Sequence, residues 1–199
     1  MPHLDYYFAT ISPFTYLVGN RLEKIAKTHG ASITYKPLAI VALFGRTGGV
    51  APKDRHPNRQ EYRLQELRRQ SAKTGLPLNL KPAHWPTNGA PAAYAIIAAQ
   101  KEGGGDIGKL VAEITASVWA RDLDIAQDEV VRQCLTAAGF DPAIADKGLF
   151  TAADTYEANL EDAVAKGVFG APFFITDTDE RFWGQDRLED LDLYLAGKL

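Results

Sequence analysis

The spacing of apolar positions changes character twice along the chain. Leu4 to Thr10 (LDYYFAT) is a short, aromatic-rich run of strand formers. Ser12-Pro13 follows at once, a serine cap with proline at the first helical position. Tyr16, Leu17, Leu22, Ile25 and Ala26 then recur at roughly helical spacing as far as Gly30, which reads as the stop. Ser32 to Leu38 (SITYKPL) alternates and predicts a second strand, so the first 38 residues form a β-α-β unit.

From about Gly45 to Gly167 no segment reads as a strand. Arg59 to Thr74 predicts a helix with Tyr62 and Leu67 inward and a charged outer face, and Ala90 to Lys101 an alanine-rich one. Ile107, Leu110, Val111, Ile114 and Val118 make an amphipathic stripe. Asp128 to Ala138 is a helix closed by Gly139, Asp141-Pro142 opens a short one, and Ala152 to Lys166 is another, ending at Gly167. Strand character returns at Pro172 to Thr176 (PFFIT), turns over Asp177 to Glu180, and continues at Arg181 to Trp183. Asp186 opens the last helix with Glu189 as a capping box, and Leu188, Leu191 and Leu195 form its inner face. The expectation is an α/β chain, a single domain over 1–199. Its mixed sheet comes from about 1–44 and 168–199, and a helical insertion occupies about 45–167.

Composition narrows the function. The chain has 199 residues, 46% hydrophobic and 24% charged, which is ordinary for a globular protein. A net charge of −3 argues against a broad nucleic-acid footprint. No run approaches the ~18–20 apolar residues of a membrane span, and the first residues lack a secretory leader pattern. A soluble, cytoplasmic protein is expected. The one cysteine, Cys134, excludes an internal disulfide, a CxxC redox pair and a cysteine-rich zinc site. It shares a helix face with Val130, Val131 and Ala138, so it is expected in the core. His3, His29, His56 and His84 show no ligand spacing, so no metal is expected. Trp85, Trp119 and Trp183 are expected in the core or on a pocket wall.

Two places remain for chemistry. Ser12 sits at the first strand–helix junction, either as a cap alone or with its hydroxyl facing a ligand. Late in the chain, Pro172 enters a strand behind the small residue Ala171, a pattern of a cis peptide or a strand edge. The junction, the GVFGAPFF segment and the FWGQDRLE turn into the last helix together resemble the DsbA-like branch of the thioredoxin superfamily. Within it the likeness is to 2-hydroxychromene-2-carboxylate isomerases and kappa-class glutathione transferases. It runs over most of the chain and is most specific at the ends.

The resemblance implies a thioredoxin-like fold (βαβ…ββα) and gives Ser12-Pro13-Phe14-Thr15 a meaning. Disulfide oxidoreductases of this fold carry C-x-x-C there, so dithiol exchange is excluded. In the isomerase and kappa branch a serine holds the thiolate of bound glutathione, and Ser12 takes that role. By the same likeness, Ala171 pairs its backbone with the glutathione cysteine, exposed by a cis Pro172. Gln185 and Asp186 hold the γ-glutamyl end, although Asp186 also suits a helix cap. Arg59 stands where a basic residue meets the glycine carboxylate, although the surrounding basic run also suits a solvated helix face. Asn88 matches an asparagine near the entrance, or else caps the helix after it. Tyr7, Phe14, Phe44 and Trp85 are expected to wall an aromatic pocket. One position departs from the pattern: many relatives carry Gly-Asn where this chain has Gly48-Gly49. The implied activity is glutathione-dependent isomerisation of a small aromatic substrate of the chromene-carboxylate type, in a homodimer. A kappa-type transferase or peroxidase and a non-catalytic binding module are the other readings.

Overall fold

A computed structural model describes residues 1–199. In chain order the elements are β1 (His3–Phe8), α1 (Pro13–Tyr16), α2 (Arg21–His29), β2 (Ser32–Pro37), α3 (Ile40–Thr47), α4 (Pro57–Thr74), α5 (Ala90–Glu102), α6 (Ile107–Trp119), α7 (Asp128–Ala137), α8 (Ile144–Thr151), α9 (Ala153–Ala165), β3 (Phe173–Thr176), β4 (Arg181–Trp183) and α10 (Leu188–Leu195). Short 3₁₀ turns cover Pro52–Asp54 and Gln185–Arg187. The sheet runs β2-β1-β3-β4. β1 and β2 are parallel, while β3 is antiparallel to β1, and β4 to β3.

β1 is buried on both faces, which is why it reads as a nearly continuous aromatic run. Side chains alternate across a strand. Leu4, Tyr6 and Phe8 enter the main core, where Tyr6 stacks on Phe174 at 5.0 Å. Tyr7 points to the other face and packs with Leu38, Leu43, Ala163 and Phe173.

The helices after α4 complete the main core. Leu110, Val111, Ile114 and Val118 are buried, as the stripe predicts. α8 approaches α5 so closely that a Cβ on Gly148 would lie 2.8 Å from the Tyr94 carbonyl oxygen. Cys134 is 3% exposed, 3.4 Å from Ser117 Oγ, and burial pushes its thiol up. It is a core residue.

Several expectations are corrected. The helix after Ser12 is broken: Gly19, at φ +58, separates α1 from α2. α3 was not expected, because IVALF is a continuous apolar run too short to show a period. Tyr62 faces outward, 60% exposed beneath the Arg69 guanidinium, and Leu67 alone anchors that part of α4. Trp119 is core, but Trp183 is 54% exposed on the edge strand β4, against Phe169. Asp186 does not cap the last helix; its carboxylate accepts from Arg187, and α10 begins at Leu188 without a side-chain cap. No helix is long and apolar enough to cross a membrane.

Candidate active site

Strand register brings the two ends of the chain together. Tyr7 lies opposite Phe173. Continued by two residues, the same register sets Pro172 beside Phe8 and Ala171 beside Ala9. The Ala171–Pro172 peptide is cis. On the other side, the Ser12 N–H donates to the Ala9 carbonyl at 3.0 Å. Ser12 and Ala171 therefore converge at the C-terminal end of β1, where ligands of open α/β sheets bind.

The Ser12 side chain accepts from the Thr15 N–H at 3.3 Å, a cap at the long end of the range, and its own hydrogen remains free to donate. Pro13 has no N–H, and the Phe14 N–H takes no backbone acceptor. One turn of helix has little macrodipole, so the positive character here is that of the Phe14 amide and the Ser12 hydroxyl. Thr15 is 2% exposed, and its hydroxyl oxygen is buried without a partner. No thiol belongs to the site.

The third wall is the turn after β4. The Gly184 N–H donates to the Pro172 carbonyl at 3.0 Å, and the φ of +108 at Gly184 is open to glycine at little cost. Gln185 is buried, and its Oε1 accepts from the Arg21 guanidinium. Arg21 also donates to the carbonyls of Leu17 (2.7 Å) and Val18 (3.3 Å), which closes the turn between α1 and α2. With Oε1 committed, Gln185 has its amide N–H groups left for an anion. Burial lowers the Arg21 pKa, against the opposing charge of Asp186. No motif marks Arg21; its role appears only when the turn at Gly19 folds it toward Gln185. Asp186 is exposed and paired with Arg187 at 3.0 Å.

The entrance is formed by the 85–89 loop. The Trp85 indole N–H donates to the Ile11 carbonyl at 3.0 Å, and the Thr10 hydroxyl donates to the Gly89 carbonyl at 3.0 Å. Trp85 is thereby locked beside Ser12, half-buried. Asn88 is exposed, and its side-chain oxygen accepts from the Ala90 N–H at 3.1 Å, holding the start of α5. Arg59 is exposed on the first turn of α4 and makes no ion pair. Phe14 is half-buried against the main core. Phe44 is half-buried beneath Arg55, 5.7 Å from its guanidinium, and covers Gly49. A Cβ on Gly49 would overlap that ring, lying 2.9 Å from Cγ. Phe44 thus fills the space that a side chain at position 49 would need.

Tyr7 is not a pocket wall. It is fully buried, and its hydroxyl donates to Asp162 at 2.6 Å and accepts from Lys36 at 3.3 Å. An apolar cleft of about 120 Å³ does open at the ends of β1 and β2, lined among others by Thr10, Ile11, Leu38, Ile40, Val41 and Tyr156. Burial, with Tyr94 nearby, pushes the Tyr156 hydroxyl up to about 12. Nothing in the sequence marks these residues as a set. A larger depression of about 330 Å³ between α2 and α10 contains neither Ser12 nor Ala171.

Residues 3–196 match the DSBA-like thioredoxin domain. The chain belongs to this DsbA-like family. It is 29% identical over 195 residues to a 2-hydroxychromene-2-carboxylate isomerase of Sphingobium xenophagum, covering 96% of this chain and 97% of that one. It is 24% identical over 204 residues to Glutathione S-transferase kappa 1 of Caenorhabditis elegans, covering 94% and 88%. Its DsbA-like fold superposes on a solved 2-hydroxychromene-2-carboxylate isomerase with a TM-score of 0.80 at 24% identity, over 98% and 95% of the two chains.

Proposed function

We propose that the protein is a glutathione-dependent isomerase that converts 2-hydroxychromene-2-carboxylate to trans-o-hydroxybenzylidenepyruvate. One observation carries the reading. A hydroxyl and a free backbone N–H, at Ser12 and Phe14, lie at the same end of β1 as the cis Ala171–Pro172 peptide, in a site that has no thiol of its own. Such a cradle suits a thiolate brought by another molecule.

The surrounding donors fit a glutathione-like tripeptide. Ala171 offers a backbone N–H and C=O to its amides. Gln185, backed by Arg21, presents N–H donors to the γ-glutamyl carboxylate, and Asp186 presents a carboxylate to the neighbouring ammonium. Arg59, with no partner in the chain, is available to the glycine carboxylate. Bound glutathione supplies a nucleophile whose reversible addition to the conjugated substrate makes a double bond rotatable. Ser12 holds the anion by donating its hydroxyl hydrogen while it still accepts from Thr15. Trp85 and the apolar cleft take the aromatic ring and keep water from it. A cytoplasmic homodimer belongs to the same reading.

The test is absorbance-monitored conversion of 2-hydroxychromene-2-carboxylate with and without glutathione, alongside calorimetry with glutathione alone. Conversion only with glutathione, and saturable binding, is the expected result. Absence of both overturns the proposal. The likeness to the kappa transferase favours a second reading, in which the same cradle serves a different electrophile. Glutathione binding and conjugation of an aromatic electrophile, without conversion of the chromene, would select it.

A further inference from the structure

Three guanidinium groups gather at the start of α4 without a counter-charge. Arg55, Arg59 and Arg63 make no ion pair with any carboxylate of the chain; of the other arginines, Arg46, Arg69, Arg121, Arg132, Arg181 and Arg187 each have one, Arg21 is held by Gln185 and two carbonyls, and Arg68 is exposed to solvent. The contrast is sharpest at Arg63. It is half-buried, makes no hydrogen bond, and lies 5.4 Å over the Trp85 ring. Burial and the nearby charge of Arg55 bring its pKa down to about 10. A desolvated cation without a partner is costly, and the face of one indole offsets only part of that cost. In a chain with net charge −3, acidic side chains are not scarce. Asp54 and Glu61 lie in the same stretch but pair with none of the three, and Glu66 is taken by Arg69, so an anion from outside completes the group.

Trp85 fixes where that anion lies. Its N–H is bound to the Ile11 carbonyl, one residue before Ser12, and its ring carries Arg63. One indole therefore links the thiolate cradle to the unpaired guanidinium. The geometry points to Arg63 as the residue that recognises the carboxylate of the aromatic substrate, setting specificity for planar acids over their uncharged analogues. The inference rests on the isomerase reading for the identity of the acid. It assigns Arg63 a role separate from Arg59, which is exposed and meets the tripeptide. Arg55, whose Nε–H donates to the Val50 carbonyl at 2.8 Å and whose guanidinium lies over the Phe44 ring, adds its positive charge to the field at Arg63.

The experiment compares chromone-2-carboxylate with chromone-2-carboxamide, planar probes that differ in charge, by calorimetry in the absence of glutathione. The wild-type protein should bind the acid roughly 10–100-fold more tightly than the amide, the range of a hydrogen bond to a charged group. Arg63→Gln should bring the two within about twofold, and Arg63→Lys should keep part of the preference. The glutathione Kd should be the same in all three proteins. Equal binding of acid and amide by the wild-type protein, or a preference that survives Arg63→Gln, overturns the assignment. So does a parallel loss of glutathione affinity, which would put Arg63 in the tripeptide site. Where Arg63→Gln fails to fold, equal binding of acid and amide by the wild-type protein still overturns the assignment, and so does an undiminished preference in Arg63→Lys. An acid preference that depends on Arg63, in a protein that does not convert the chromene with glutathione, would sink the isomerase reading and leave the carboxylate site standing.

Discussion

Ser12 accepts one hydrogen bond and has one to give, so capping and anion binding are not rivals at this residue. Ser12→Ala removes both. On the proposed function, the loss of a hydrogen bond to the glutathione thiolate should lower kcat/KM by roughly 10–100-fold. Without that bond the bound thiol is harder to ionise, so the remaining activity should rise toward higher pH relative to wild type. A pH–rate profile of both proteins checks this; an unshifted profile would leave Ser12 a cap alone. Folding stability should fall by about 1 kcal/mol, the usual worth of an N-cap. Gly49 makes a second test at this scale. Gly49→Asn drives a side chain into Phe44 and should cost about 1–3 kcal/mol in urea unfolding. The same change in a Phe44→Ala background should cost clearly less, and the double-mutant cycle measures the difference. The glycine itself was legible as a departure from pattern. The packing of Phe44 over it was not, because that depends on the unforeseen helix α3.

Helices are legible in the sequence wherever the apolar period runs for three turns, as in α6. A short run hides one, as in α3, and a backbone turn splits one that reads as continuous, as at Gly19. Neither failure displaced Ser12 or Ala171, because both depend on the strand β1 and its register with β3. How tightly the elements approach one another was not legible, and two helical glycines show why. Gly148 in α8 faces the Tyr94 carbonyl of α5, while Gly45 in α3 has nothing within 4 Å of its absent Cβ. Sequence alone treats them alike. Gly45→Ala should stabilise by about 0.5–1 kcal/mol through helix propensity. Gly148→Ala should destabilise by about 1–3 kcal/mol, since backbone cannot step aside as a side chain can. Denaturant midpoints of the two variants should move in opposite directions; a shared sign would contradict the α5–α8 approach.

Across the whole molecule, residues far apart in sequence meet in a charge network that no spacing rule exposes. Asp5 and Tyr7 of β1, Lys36 of β2, Asp162 of α9 and Lys166 come together on one side of the sheet. Lys36 lies 3.0 Å from Asp5 and 2.7 Å from Asp162, and Lys166 lies 2.7 Å from Asp5. This network, and not the pocket, is what holds the Tyr7 hydroxyl. The strand pattern of β1 identifies alternate faces but not which of them leads to the site. Burial alone would raise the Asp5 carboxyl, but hydrogen bonds and charge from Lys166 and Lys36 outweigh it and hold it below its ordinary value. Asp162 is lowered in the same way, with burial outweighed by Lys36 and Tyr7. A carboxyl with a depressed folded-state pKa contributes stability that is complete above the unfolded value of about 3.9 and is lost as pH falls through its folded value. Lys166 works in reverse: burial would lower it, but Asp5 and Asp162 hold it above its usual value, so its contribution fades only in strong alkali. Asp5→Asn should therefore cost about 1–3 kcal/mol at pH 7, less than a fully buried pair because Lys166 is partly in solvent. It should also flatten the fall in stability between pH 5 and pH 2.5. Urea unfolding at several pH values for both proteins tests this. Parallel curves would mean that the network links β1, β2 and α9 in geometry without carrying the acid sensitivity of the fold.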